Sequence, residues 1–154
     1  MMMKLFQRKH TVNLAAPVNG MYVDLRKATE TAVTAGFAIE PMEGEIHAPI
    51  AGQVTKVTAQ TITIAADFGC EYLLQLGDLT ANLEDQVVNW QVSVGDAISA
   101  DVIVASVDID AIHAANQSAL ITCGLIERSA TDFEVSKTGL ISQGDQLATL
   151  KIKA

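Results

Sequence analysis

Aromatic side chains are scarce in this 154-residue chain, where Phe, Tyr and Trp together make up 5%. Its core must therefore be built from Val, Ile, Leu and Ala. Cysteine is scarcer still: Cys70 and Cys123 are too few for a disulfide framework, and neither has a partner at metal-ligand spacing. Cys70 lies in an apolar strand pattern and reads as a small core residue. Basic residues are also short, ten against eighteen acidic ones, for a net charge of -8. That sign opposes a phosphate backbone or an anionic lipid surface, which excludes nucleic acid as a natural partner. No run approaches the apolar length needed to span a bilayer, so no stable membrane insertion is expected.

What is present suits one folded domain. The chain is 49% apolar and 18% charged, well above the apolar content of a disordered sequence. At this length a single core closes without disulfides or metal. The opening MMMKLFQRKH carries Lys4, Arg8 and Lys9, but its apolar run is too short for a secretory signal. Residues 1–11 are expected to be a flexible N-terminal segment and 12–154 a single β domain. The expected location is the cytoplasm and the expected state a monomer.

Short runs rich in Val, Ile and Thr predict strands over 60–65, 71–76, 102–107, 120–122 and 147–152. Gly-Asp pairs at 77–78, 95–96 and 144–145 punctuate them as turns. Helical patterns cover 25–35, ended by Gly36, and 108–115, capped by Asp108. The chain also echoes itself. Ala16-Pro17-Val18-Asn19-Gly20 returns as Ala48-Pro49-Ile50-Ala51-Gly52, and Val94-Gly95-Asp96-Ala97-Ile98 as Gln143-Gly144-Asp145-Gln146-Leu147. Two matched pairs in one small domain predict a pseudo-duplicated, all-β barrel-sandwich with one or two short helices.

Two carriers of chemistry are absent. A zinc endopeptidase of barrel-sandwich shape needs a His-x-His pair on a strand, and there is none. A biotinyl or lipoyl carrier needs a lysine at a hairpin tip in a Met-Lys-Met setting, which neither Lys56 nor Lys137 has.

The stretch EIHAPIAGQVTKVTAQTITI (45–64), followed by FGCEYLLQLGDLTANL (68–83), resembles the core of the glucose-type IIA domain of the bacterial sugar phosphotransferase system. The resemblance runs from about residue 12 to 150, with its parts in the family's order. LAAPVNGMYVDL (14–25) looks like the opening strand and turn, and GFAIEPMEGEIHAPIAGQV (36–54) carries the Ala-Ile-x-Pro and Ala-Pro-x-x-Gly elements. VGDAISADVIVASVDIDAI (94–112) resembles the late turn, strand and helix start.

In that family, the second of two strand histidines takes a phosphoryl group from a phosphohistidine carrier protein and passes it to the IIB domain of a sugar permease. The first histidine assists by donating to the phosphoryl oxygens, where charge gathers. The resemblance places Gln60 and Gln75 at these two positions and Thr58 at the family's threonine two residues before the first. Imidazole suits the task because it has a basic ring nitrogen near neutral pH and a second nitrogen that can be held. A glutamine can donate a hydrogen bond, but its nitrogen lone pair is delocalised and cannot attack phosphorus. Loss of a nucleophile elsewhere costs on the order of 10⁶ in rate. A partner-bridging zinc would also lose its imidazole ligands, so neither a metal nor a cofactor is expected.

Other departures accompany these. Leu79-Thr80-Ala81 stands where an Asp-Thr-Val is expected, and EDQVVNWQ (84–91) replaces a glycine-rich loop. The acidic, phenylalanine-bearing segment before Gly36 is shortened. Together these imply a degenerate IIA component acting as a non-catalytic binding or regulatory module. Its partners would be the histidine phosphocarrier protein, a IIB domain or a regulated enzyme. The alternative is an active carrier with another acceptor, for which His10, His47 and His113 are the available imidazoles. Gln60 and Gln75 are expected on the floor of a shallow apolar-rimmed depression, with Val57, Leu73 and Leu76 as neighbours.

Overall fold

The computed structural model describes residues 9–27, 31, 33–66, 69–78, 87–126 and 132–153. In chain order the strands begin with β1 (Lys9–Ala15), β2 (Gly20–Val23), β3 (Val33–Pro41), β4 (Glu45–His47) and β5 (Gly52–Val57). They continue with β6 (Thr61–Ala65), β7 (Glu71–Leu76), β8 (Val88–Trp90), β9 (Ala97–Ile98) and β10 (Ile103–Val107). After the helix α1 (Ile109–Ala114) come β11 (Ile121–Ile126), β12 (Asp132–Val135), β13 (Leu140–Ile141) and β14 (Gln146–Lys153). Eight of them form one sheet in the order β13-β2-β3-β11-β7-β6-β5-β9. Two three-stranded sheets, β1-β14-β12 and β4-β10-β8, complete the all-β sandwich.

Cross-strand register sorts the large sheet into two faces, because residues opposite one another in an antiparallel pair share a face. One face carries Phe37, Cys123, Leu74 and Ile62 in a single row, all fully buried. Its neighbouring row, Ile39, Ile121 and Leu76, is buried as well. Leu14 and Leu150 from the β1-β14 pair and Ile46 and Val104 from the β4-β10 pair join the same core. The opposite face is buried at its centre too, where Ala38, Leu73, Gln75 and Thr122 are each at most 7% exposed. A strand covered on both sides needs no alternation, which is why β7 reads as the near-continuous run EYLLQL.

The internal echo is physical. The two Ala-Pro turns bond each other reciprocally: Ala15 N–H donates to Pro49 O at 2.9 Å and His47 N–H to Pro17 O at 2.7 Å. Each following alanine then accepts in the same way, Ala16 O from Gly144 N–H at 3.0 Å and Ala48 O from Asp101 N–H at 2.9 Å. The Gly-Asp turns match as well. Asp96 accepts from Ser93 N–H at 2.8 Å and Asp145 from Ser142 N–H at 2.9 Å. Gly95 and Gly144 sit at φ 98° and 89°, a region closed to most side chains.

Of the two expected helices, one forms. Asp108 caps α1 by accepting from Ala111 N–H at 3.0 Å, and the helix ends before Asn116, which is left-handed at φ 58°. The expected helix over 25–35 does not form as such: 25–27 make a short 3-10 turn and β3 begins at Val33, with 28–30 and 32 outside the described residues. Tertiary pairing overrides the helical pattern there, since Val33 and Ala35 register with Ile126 and Leu125 of β11. The strand expected over 120–122 runs on to Ile126 because Cys123 and Leu125 fill the core face. Residues 1–8 of the expected flexible segment lie outside the described residues, while β1 begins at Lys9 and pairs with β14. No helix among the described residues is long and apolar enough to cross a membrane.

Candidate functional site

The hairpin turn between β5 and β6 is organised by threonine. Thr58 N–H donates to Thr61 O at 2.8 Å, closing a four-residue reversal. The Thr58 hydroxyl accepts from Thr61 N–H at 3.1 Å and lies 2.7 Å from the Thr61 hydroxyl. This is the local side-chain-to-backbone bonding through which Ser and Thr stabilise turns. Thr58 is thus the residue that shapes the loop carrying Gln60. From the other side, the indole N–H of Trp90 on β8 donates to Ala59 O at 3.3 Å.

Gln75 sits at the centre of the large sheet. It faces Thr61 of β6 on one side and Thr122 of β11 on the other, and Thr122 in turn faces Ala38. All four point to the face away from the main core. Gln75 and Thr122 are each 1% exposed and Thr61 8%, so the row is polar and buried at once. Groups of that kind persist in folded proteins because they are hydrogen-bonded.

Gln60 and Gln75 converge on one short turn. The Gln60 Nε2 donates to Leu76 O at 3.0 Å and to Asp78 O at 2.9 Å. The Gln75 Nε2 donates to Gly77 O at 3.1 Å. Every one of these partners is a carbonyl oxygen, which can only accept, so each amide must present its nitrogen. Gly77 is left-handed at φ 80°, and its own N–H reaches Leu120 O at 2.9 Å.

The structure therefore brings the three sequence-selected residues together at one end of β6 and β7. Their expected neighbours are corrected in part: Leu76 does meet Gln60, through its backbone, but the three side chains divide between two faces. Only Leu73 shares the face of Gln75; Leu76 lies on the core face opposite Ile121, and Val57 aligns with Ile62 on that same face. An alternating strand puts Leu76 and Gln75 on opposite sides by necessity. Thr61 and Thr122 flank Gln75 in register, with the apolar Leu73 and Ala38 on the same face. Neither threonine nor Trp90 was singled out by sequence reasoning, although Trp90 is the chain's one tryptophan. Two of the expected departures fall within 79–91, of which 79–86 lie outside the described residues and 87–91 within them.

The three histidines lie elsewhere. His47, on β4, has Nδ1 2.8 Å from Asp101 O and Nε2 3.2 Å from Glu45 Oε1. His113, on α1, places Nε2 3.6 Å from Glu40 Oε1 and is half-exposed. His10 pairs with Ile152 in the β1-β14 sheet. Among the described residues, no three His, Cys, Asp or Glu side chains gather as metal ligands. Burial drives the Cys123 thiol far above its ordinary range, which removes it as a nucleophile. Two surface clefts, of about 280 Å³ beside Tyr72 and Ile50 and about 430 Å³ beside Asn89 and Asp108, are lined by neither glutamine.

Known proteins with similar sequences and structures agree with this architecture. The glucose permease IIA from Mycoplasma capricolum shares the fold with a TM-score of 0.80 at 24% identity, covering 91% of this chain and 96% of that one. The glucose-specific EIIA component of Halalkalibacterium halodurans is 24% identical over 143 residues, 82% of this chain and 83% of that protein. The beta-glucoside-specific EIIBCA component of Bacillus subtilis is 39% identical over 82 residues, 52% of this chain. The glucose-specific EIICBA component of Streptococcus pneumoniae is 28% identical over 120 residues, 77% of this chain. In each of these last two, the matched part is 14% of the relative's length. The profile of the phosphoenolpyruvate-dependent sugar phosphotransferase system EIIA 1 family matches residues 12–131, and the chain belongs to that family.

Proposed function

We propose that this chain is a glucose-type IIA component that has kept the scaffold of its family without the phosphoryl-carrier chemistry, and that it works as a non-catalytic protein-binding or regulatory module in the cytoplasm. One observation carries the reading: Gln60 and Gln75, which stand where the resemblance expects two histidines, meet at a single turn with both amide nitrogens bonded to backbone carbonyls. An amide offers no lone pair to phosphorus. The N–H groups that would steady phosphoryl oxygens are engaged, both of them in Gln60 and one in Gln75. A different acceptor gains no support from the geometry. His47 has both ring nitrogens within bonding distance of protein oxygens, and among the described residues β6, β7 and β11 carry no imidazole.

Candidate partners are the histidine phosphocarrier protein, a IIB domain of a sugar permease, or an enzyme under its control. The names of the Bacillus and Streptococcus relatives join A, B and C components in one polypeptide, which favours a IIB domain among the three. The test is titration of the purified protein with each partner, followed by the fluorescence of Trp90, whose indole contacts the loop bearing Gln60. Saturable change at micromolar partner concentration supports the module. Silence with all three, checked by calorimetry, counts against it.

A further inference from the structure

Three consecutive carbonyl oxygens, those of Leu76, Gly77 and Asp78, each accept a hydrogen bond from one of the two glutamine side chains. The turn they belong to leaves β7, a strand buried at five of its six residues, and has a left-handed glycine at its centre. Such a turn has carbonyls that no strand partner satisfies, and leaving them unpaired beside a buried face is costly. We infer that Gln60 and Gln75 form a turn clamp: they are positioning residues that fix the backbone at 76–78 and so set the contour of the surface around the site.

The side-chain chemistry favours glutamine in this role. One amide nitrogen carries two N–H groups in a plane, and the Gln60 nitrogen uses them on Leu76 O and Asp78 O at once. A neutral imidazole has one N–H, and its nitrogens lie on separate sides of the ring, so it cannot hold two carbonyls from a single atom. The backbone adds to the tie, since Leu76 N–H donates to Gln60 O at 2.8 Å. The clamp stands on these bonds and not on the proposed loss of phosphotransfer. A protein found to carry phosphate on another residue would still hold its turn this way.

Two measurements test it. In the unmodified protein, the side-chain NH2 protons of Gln60 and Gln75 are expected to exchange with solvent roughly tenfold or more slowly than those of the exposed Gln91. Melting of Gln60→Glu and Gln60→Ala relative to wild type, from pH 4 to pH 8, gives the second. Gln60→Ala is expected to melt about 5 °C below wild type at every pH. In Gln60→Glu, a carboxylate would face two backbone carbonyl oxygens, those of Leu76 and Asp78, on a turn whose own ionisable residue is Asp78. The introduced carboxyl's folded-state pKa is therefore raised above the ordinary value of about 4.3. The protonated form has one O–H donor and keeps part of the clamp below that value, and the stability is lost as pH rises through the folded-state pKa. The Glu deficit should thus be largest at pH 8 and shrink toward pH 4. Since Gln60→Ala retains Asp78, its profile removes that group's own titration. Exchange as fast as at Gln91, or a Glu deficit that does not move with pH, overturns the clamp. If Gln60→Glu fails to fold, the exchange rates decide alone.

Discussion

Gln60 and Leu76 are bonded in both directions: the Leu76 N–H donates to the Gln60 carbonyl at 2.8 Å, and the Gln60 side chain returns a bond to the Leu76 carbonyl at 3.0 Å. The loop after β5 and the end of β7 are therefore one mechanical unit. Sixteen residues separate the pair in sequence. The face that the resemblance marks as the site is held by this closure, with Gln75 beside it in the buried row between Thr61 and Thr122.

Gly36 and Gly124 are register partners on that same face. A Cβ built at Gly36 would lie 2.1 Å from Cys123 O, and one at Gly124 2.3 Å from Ala35 O, both backbone atoms that cannot give way. Gly36→Ala or Gly124→Ala is expected to cost roughly 3 kcal/mol by forcing β3 and β11 apart. Urea unfolding measures it, and a loss below 1 kcal/mol would contradict the packing described.

Phe37 is fully buried in the row with Cys123, Leu74 and Ile62, in a chain with few aromatics to share the load. Phe37→Ala should destabilise by about 3–5 kcal/mol through lost burial and the cavity left behind. Phe37→Leu should cost distinctly less. Equal losses in the two variants would show that the site does not fill its volume as described.

Cys123 should be inert in the native state. Burial holds its thiol protonated well past the ordinary range, and the thiolate is the reactive form. Iodoacetamide at pH 8 is expected to leave it unmodified until the protein is unfolded. The sign for stability follows: a raised folded-state pKa favours the native state below the unfolded value near 9.0 and ceases to do so as pH rises above it. Rapid native-state alkylation of Cys123 would refute the placement.

Asp108 is the cap that starts α1, accepting from Ala111 N–H. Asp108→Ala should cost about 1 kcal/mol, and Asp108→Ser should recover most of it. A null effect on thermal melting would mean that α1 is held by Ile112 packing alone.

Much of this was legible in the chain. The paired Ala-Pro and Gly-Asp turns foretold a duplicated sandwich because proline fixes φ and glycine alone readily takes positive φ, whatever surrounds them. Asp108 marked its helix for the same local reason. What misled was pattern without context. The stretch 25–35 carries good helix formers, yet Val33 and Ala35 gain more by pairing with β11. The glutamines were found through the resemblance, and nothing in their own spacing distinguishes them from solvated strand residues. Their bonds to Leu76, Gly77 and Asp78 were invisible because a side chain's choice between solvent and a backbone carbonyl is decided by tertiary closeness. The row of Thr61 and Thr122 was hidden likewise, since register between β6, β7 and β11 is not written in any one strand.

The most direct measurement is intact-mass analysis after incubation with phosphoenolpyruvate, the general carrier enzyme and the histidine phosphocarrier protein, with an active IIA component as positive control. The account predicts that the control gains one phosphoryl group while this protein gains none. A stoichiometric, acid-labile gain here, on any residue, would contradict it.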